Sequence, residues 1–301
     1  MDKFDKDWAG GAFLFQYIDS NYTGELLLCH MNGKTMLITN IYRGKISSDI
    51  KVYHENGMLF FQERFTDGIL NGIRTSYYPN GQLKTQSYYV NGKRNGNCFW
   101  YYENGQLNMS LHYNDGKIEG DFIEYYSGGE IMRKVKYVNG SMEGVYLSYH
   151  ENGTLAKYEN YLKGQLEGIS IYYESKSRKP NNKGYYLNGK LNGEFLSFYS
   201  NSEQIYVRST YVNGIEQGVR YQYFENGKIK TSIEIVDGEK NGKYREYFEN
   251  GQLKVSANVI TELVDGDFLE MWDGEYTEYG SNGLKIHTYK YKKGEIIIDW
   301  Q

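Results

Sequence analysis

Proline and cysteine are nearly missing from this chain, with two of each in 301 residues. No proline-rich linker divides it, and neither Cys29 nor Cys98 stands in a CxxC spacing. That usage excludes a disulfide framework and a zinc site of ordinary spacing, and it fits a reducing compartment. A positive charge excess is lacking too. The 34 Lys and Arg face 38 Asp and Glu, for a formal charge of −4 and a pI near 5.8. Binding to nucleic acid or to an anionic membrane wants clustered Lys and Arg, so neither is expected. Long apolar runs are absent, and Met1 to Gly11 carries three Asp. Neither a signal peptide nor a membrane span is expected, and a soluble cytoplasmic protein is predicted.

What the chain has in quantity is tyrosine and glycine, 33 and 35 residues. Aromatic residues favour strands, and glycine supplies the positive φ of tight turns. Both are distributed with a period. Gly24, Ser48, Gly72, Gly96, Gly120, Gly144 and Gly168 follow one another at 24 residues, and Gly193, Gly218, Gly242 and Gly274 continue the series to eleven repeats. Within a repeat, an Asn-Gly pair such as Asn104-Gly105 marks a hairpin tip, and a second Asp-Gly or Asn-Gly, such as Asp115-Gly116, returns the chain. The pattern predicts a continuous antiparallel meander.

Side-chain phase sets the loop length. The fifth column after each opening residue is aromatic almost throughout (Tyr53, Tyr77, Tyr101, Tyr125), the eleventh is mostly Leu or Ile (Leu59, Leu83, Leu107), and the seventeenth is mostly Tyr (Tyr89, Tyr113, Tyr137). A three-residue tip, Glu103-Asn104-Gly105 with Gly105 left-handed, places all three columns on one face, whereas a two-residue tip splits them. The sixth column (His54, Tyr78, Tyr102, Tyr126, His150, Tyr199, Phe224, Phe248) then forms a second aromatic row on the other face.

These readings predict an all-β fold, an elongated single-layer antiparallel β-hairpin array of about eleven 24-residue repeats with terminal caps. Two strands per repeat at about 4.8 Å would extend it roughly 100 Å before twist. Such a layer lacks a closed core and depends on neighbouring repeats and covered edges. Residues 1–23, with Trp8, Phe13, Phe15 and Tyr17, are the expected N-terminal cap, residues 24–294 the array, and 295–301 a capping strand. Irregularity is expected at 174–186, where Glu174 to Lys183 replaces the Asn-Gly tip, and at 255–274, where apolar residues stretch the tenth repeat into either a covering bulge or a contact element.

The segment Tyr101-Tyr102-Glu103-Asn104-Gly105-Gln106-Leu107, with the Tyr-Val-Asn-Gly return turn and a further Gly four residues on, resembles the MORN-repeat variant family of bacterial, YwqK-type antitoxin-like proteins. The likeness runs from residue 24 to about 294 and is best over 72–168. It implies a single-layer antiparallel sheet and a protein-binding role, as antitoxin or immunity partner of a toxin. It carries over no catalytic residues and no cofactor.

A residue that departs from its column is a better functional candidate than one that matches it. By that test His30, His54 and His150 read as sixth-column aromatics, and neither His112 nor His287 has a partner at nucleophile or base spacing. The Asp residues before turn glycines read as local backbone caps rather than calcium ligands. No enzyme activity, metal or cofactor is expected.

The candidate partner-binding residues are Tyr78, Trp100, Tyr102, Tyr126, His150, Phe224 and Phe248 on the second aromatic row, with Lys176, Arg178 and Lys179 in the basic tip. Tyr and Trp anchor interfaces, and the same residues also stack strands on one another. The leading expectation is a protein-binding scaffold. The alternative is an aromatic repeat that binds a small ligand or carbohydrate.

Overall fold

The computed structural model describes residues 19–264 and 266–300. Among them are 28 strands and no helix, and the strands pair antiparallel within one sheet. The aromatic N-terminal cap residues Trp8, Phe13, Phe15 and Tyr17 lie outside the described residues. Contacts divide the chain into two compact parts, Met1–Ser141 and Met142–Gln301.

The repeat opening at Gly96 shows how the sequence builds each step. Strand Gly96–Tyr101 runs to the tip and Leu107–Asn114 returns. At the tip, the Tyr102 N–H donates to Gln106 O (2.8 Å) and the Gly105 N–H to Tyr102 O (2.9 Å), so Glu103-Asn104-Gly105 is the three-residue loop expected from phase. Gly105 has φ 85°, where a β-carbon would be strained. The loop leaves Tyr101 directly opposite Leu107, but a bulge between Leu107 and Met109 sets Trp100 opposite Met109. Tyr101 and Leu107 therefore lie on the face opposite Tyr113, and the three columns do not share one face as expected.

The second turn is a different object. Asp115 and Gly116 both have positive φ (47° and 83°), the type I′ signature, and Asn114 pairs with Lys117 across them. Asn-Gly thus serves two geometries in one repeat: at tips only the glycine is left-handed, whereas at return turns such as Asn91-Gly92 both residues are.

A bulge follows. Tyr113 pairs with Ile118 and Ser110 with Ile123, so four residues face two. The opening glycine sits in that bulge with positive φ, as at Gly120 (81°), Gly144 (79°) and Gly168 (86°), while Ser48 is not among the positive-φ residues. The 24-residue glycine period is therefore the period of a bulge.

Repeats are hooked to their predecessors by backbone. In the N-terminal part the Gly116 N–H donates to Arg94 O (2.8 Å) and Gly140 to Ile118 O (2.9 Å). In the C-terminal part Gly164 donates to Met142 O and Gly189 to Leu166 O (both 2.9 Å). Gly44 donates to Tyr22 O (2.9 Å), so the residues before the first repeat complete it as a preceding repeat would. At the other end strand Glu295–Trp300 pairs with Lys285–Lys292.

Burial follows the backbone position rather than residue chemistry. The fifteenth column is buried in ten consecutive repeats: Thr39, Glu63, Ser87, Leu111 and Val135 in the N-terminal part, then Glu159, Gly184, Ser209, Ile233 and Ala257. Large side chains from neighbouring columns close over it. In the N-terminal part Leu37, Ile50, Val52 and Phe61 form a core with Leu26, Leu28, Ile46, Phe60 and Phe65. In the C-terminal part Ile233, Ile235 and Val259 pack with Tyr244 and Trp272. At Gly184 the space a β-carbon would need is taken by Leu191 (2.7 Å) and Phe195 (3.2 Å).

Both expected irregularities resolve into regular chain. Strand Pro180–Leu187 resumes directly after a tip at 174–179, so the irregular stretch is shorter than 174–186. The Glu174 N–H donates to Lys179 O (2.9 Å), enclosing four loop residues rather than three, and Tyr199 to Gln204 O (2.9 Å) does the same one repeat later. Those two extra residues are why the openings at Gly168, Gly193 and Gly218 stand 25 apart. The tenth repeat holds no bulge that covers the sheet. Strands Leu253–Val264 and Asp267–Trp272 pair without a break from Val259↔Trp272 to Val264↔Asp267, extending the return hairpin into an arm.

Candidate functional site

The sixth column is tied to the repeat that follows it. The Tyr78 hydroxyl donates to Tyr101 O (2.8 Å) and the Tyr102 hydroxyl to Tyr125 O (2.7 Å). In the C-terminal part the Tyr199 hydroxyl donates to Tyr223 O (2.6 Å), and His150 Nε2 reaches Tyr173 O (3.1 Å). Tip asparagines add a parallel row, with Asn104 Nδ2 donating to Ser127 O (3.1 Å) and Asn152 Nδ2 to Ser175 O (3.1 Å). The sixth-column side chains are half-buried, whereas the tip asparagines are exposed. Tyr126, Phe224 and Phe248 hold the same position beside their loops, where their N–H groups close the tip onto Glu130, Lys228 and Gln252 (each 2.8 Å).

Trp100 does not join that row. It lies inside a strand opposite Met109 and Thr85, and the Arg94 guanidinium lies 6.0 Å from its ring. The same guanidinium sits over Tyr113 (5.3 Å) and Tyr89 (6.0 Å) and donates to both hydroxyls. An aromatic cage is present here, and the chain's own arginine fills it. Lys157 does likewise in the C-terminal part, 4.6 Å from the Tyr172 ring and 5.9 Å from Tyr146.

The basic tip is held by a carboxylate that replaces the sixth-column aromatic. Glu174 accepts from the Ser177 hydroxyl (2.7 Å) and the Asn201 N–H (2.8 Å), and these two donors hold its carboxyl below the usual range. Lys179 pairs with Glu203, whereas Lys176 and Arg178 are exposed. Arg178, with Asn152, Gly153, Thr154, Leu155 and Tyr173, lines a cleft of about 420 Å³.

Two buried carboxylates and their partners show what the packed face tolerates. Glu159 accepts from Lys157 (2.9 Å), the Tyr161 hydroxyl (2.9 Å) and Ser170 (3.3 Å). Burial and the Glu159 hydrogen bond push the Tyr161 hydroxyl up to about 12. Burial alone would raise Glu216, but the Arg220 hydrogen bond and charge, with the Ser209 and Tyr211 hydroxyls, outweigh it and leave the carboxyl below its usual range. Each cluster is satisfied internally. No group of three His, Cys, Asp or Glu among the described residues is placed to hold a metal.

The face opposite the packed one is where repeats differ. Its first and sixteenth columns meet as cross-strand pairs. Asp49 faces Arg64 (2.9 Å), Ile73 faces Tyr88, Asn97 bonds His112 (2.8 Å) and Asp121 faces Lys136. In the C-terminal part Val145 faces Asn160 and Ile169 faces Tyr185. Ile73, Tyr88, Val145, Ile169 and Tyr185 are exposed. A cleft of about 460 Å³ opens beside Ile73, Tyr77, Tyr88 and Arg64. Sequence reasoning passed over these columns because they show no residue preference. That variability was itself the available signal.

No helix among the described residues is long and apolar enough to cross a membrane. No curated protein matches the chain. Among solved structures it is similar to the crystal structure of TcdB2–TccC3–Cdc42, at 12% identity over 91% of this chain and 17% of that one, with a TM-score of 0.18. It is also similar to a Photorhabdus luminescens Tc holotoxin pore, at 13% identity, 90% and 18% coverage and a TM-score of 0.16. A porin-like protein from Bacteroides uniformis matches at 10% identity, 82% and 92% coverage and a TM-score of 0.14. The chain thus spans less than a fifth of the length of the first two of these chains. The MORN repeat variant model matches residues 70–91, 94–115, 118–139, 142–163, 216–237 and 240–260, and the unmatched stretch 164–215 contains both four-residue tips. Over these six segments the chain belongs to the MORN repeat variant family, a class of repeat that suggests a binding scaffold.

Proposed function

We propose that this chain is a non-catalytic protein-binding scaffold, an antitoxin or immunity protein that occludes a toxin partner. One observation carries the scaffold reading: on a frame fixed by packing and inter-repeat bonds, the outward row of cross-strand pairs changes chemistry from repeat to repeat. Ile73–Tyr88 and Ile169–Tyr185 offer exposed apolar area of the kind that anchors interfaces, flanked by ionic pairs such as Asp49–Arg64. The alternative of a small ligand held in aromatic cages is disfavoured where Arg94 and Lys157 already fill them.

The test is purification of the tagged chain from its native cell at low salt, with identification of any protein eluting in near-equal amount. Such a protein, once purified, should bind Ile169→Asp more weakly than the parent chain. If the partner is a toxin, its expression alone slows growth and co-expression of this chain restores it. A chain that elutes alone under every condition defeats the scaffold reading, and a harmless partner defeats the antitoxin reading alone.

A further inference from the structure

We propose that the arm formed by paired strand residues 260–264 and 267–271 enters an apolar cleft rimmed by basic side chains on the partner protein. This inference rests on the scaffold reading and names the chemistry of one contact. The arm exists because Gly242 and Gly274 stand 32 residues apart, eight more than the period, and the excess is divided equally between the two strands, four residues at 261–264 and four at 267–270. Equal division lengthens the hairpin without disturbing its register. At roughly 3.4 Å per residue, the arm gains about 14 Å over an ordinary return turn.

Its base is built into the C-terminal part. Trp272 packs against Tyr244 (5.3 Å) and Tyr276 (5.4 Å), and Val259 opposite it is buried. Lys240 pairs with Glu270 (2.6 Å) and Lys293 with Glu262 (2.9 Å), and the Thr261 hydroxyl donates to Lys240 O (2.9 Å). Flanking turns thus hold the arm up to Glu262 and Glu270.

Beyond that level, Leu263 and Phe268 face each other at 62% and 65% exposure, and Leu269, opposite Glu262, is 45% exposed. Ordinary return turns also expose apolar side chains, as where Val212 faces Ile215 at 51% and 49% exposure, so what sets the arm apart is that its apolar residues stand up to four residues per strand beyond the level of such turns. The segment 261–270 contains four acidic residues and no Lys or Arg. Its two base glutamates are paired within the chain, whereas Asp267 has no ion pair among the described residues. An apolar tip bearing free negative charge complements an apolar cleft with a cationic rim, and it opposes an anionic lipid surface.

The experiment places p-benzoylphenylalanine at Phe268 of the full chain in its native cell, with Met31, fully exposed, as the control position. The expected product is a single protein crosslinked only from position 268, through a peptide of apolar residues flanked by Lys or Arg. That protein is then purified and titrated with three chains. Phe268→Ser and a variant lacking 261–264 and 267–270 should each bind about 10-fold more weakly or worse than the parent. The shortened variant joins Ile260 to Asp265-Gly266 and Met271, reproducing an ordinary return turn, so an unchanged urea midpoint is expected. Parent-like affinity in both variants, alongside weakening by Ile169→Asp, overturns the arm while the scaffold stands. Crosslinks to a second copy of this chain or to lipid overturn it as well. If no protein crosslinks or co-elutes, the arm and the scaffold reading fall together.

Discussion

Phe61 and Glu159 stand on the packed face of two different repeats, in the thirteenth and fifteenth columns, and could hardly be surrounded more differently. Around Phe61 the neighbours are Leu37, Ile50 and Val52; around Glu159 they are Lys157, Tyr161, Ser170 and Tyr172. Phe61 and Glu159 are each 2% exposed. The difference teaches that the repeat backbone decides what is buried, and that each neighbourhood then satisfies whatever side chain falls there. Apolar neighbours gain from leaving water, whereas a buried carboxylate persists only with its charge and lone pairs matched.

The largest effects should come from truncating either neighbourhood. Phe61→Ala leaves a cavity and is expected to cost about 3–5 kcal/mol in urea unfolding. Glu159→Ala leaves Lys157 without its carboxylate and should cost about 3 kcal/mol, at the lower end for buried pairs because the lysine is partly exposed. Replacing both, Lys157→Met with Glu159→Leu, should recover most of that loss. A double variant as unstable as the single one would mean that the polar cluster is not interchangeable with an apolar one.

The comparison also has a pH form. Glu216 has its pKa lowered in the folded chain, so its contribution to stability is complete above the unfolded value of about 4.3 and is lost as pH falls through the lower folded value. Glu216→Gln should flatten that part of the acid limb of a stability profile, and Phe61→Ala should shift the whole profile without changing its shape. An acid limb unaltered by Glu216→Gln would remove the carboxylate from the account.

Smaller effects belong to the frame that both neighbourhoods share. Gly105→Ala forces a β-carbon onto left-handed backbone and should cost about 1–2 kcal/mol. Tyr102→Phe removes one inter-repeat hydrogen bond and should cost about 1 kcal/mol in the same assay. A loss of several kcal/mol from Tyr102→Phe would show that the tips contribute far more than their hydrogen bonds.

Much of the frame was legible in residue order. Asn104-Gly105 marked a tip, and its three-residue length is as expected, but the shared face expected of Tyr101, Leu107 and Tyr113 was not legible, because the bulge between Leu107 and Met109 turns the strand over. The best-buried column was not legible, since Thr39, Glu63, Leu111 and Gly184 share no property that a periodicity search detects. For the candidate site, the tyrosines at 78 and 102 stood out in the sequence by their recurrence, yet recurrence marked the inter-repeat hydrogen bonds they make. Ile73, Tyr88, Ile169 and Tyr185 stood out in nothing until strand register set them opposite one another.

By itself the sequence determined the period, the turns and the antiparallel meander, because backbone geometry at Gly and Asn-Gly positions is a local matter of allowed φ and ψ. Tertiary structure alone decided that eight extra residues in the tenth repeat lengthen a hairpin instead of folding over the sheet. It also decided that Arg94 fills the aromatic cage beside Trp100. Both outcomes depend on which groups meet across strands and repeats, and such meetings are fixed by packing and hydrogen-bond register rather than by any residue's own preference.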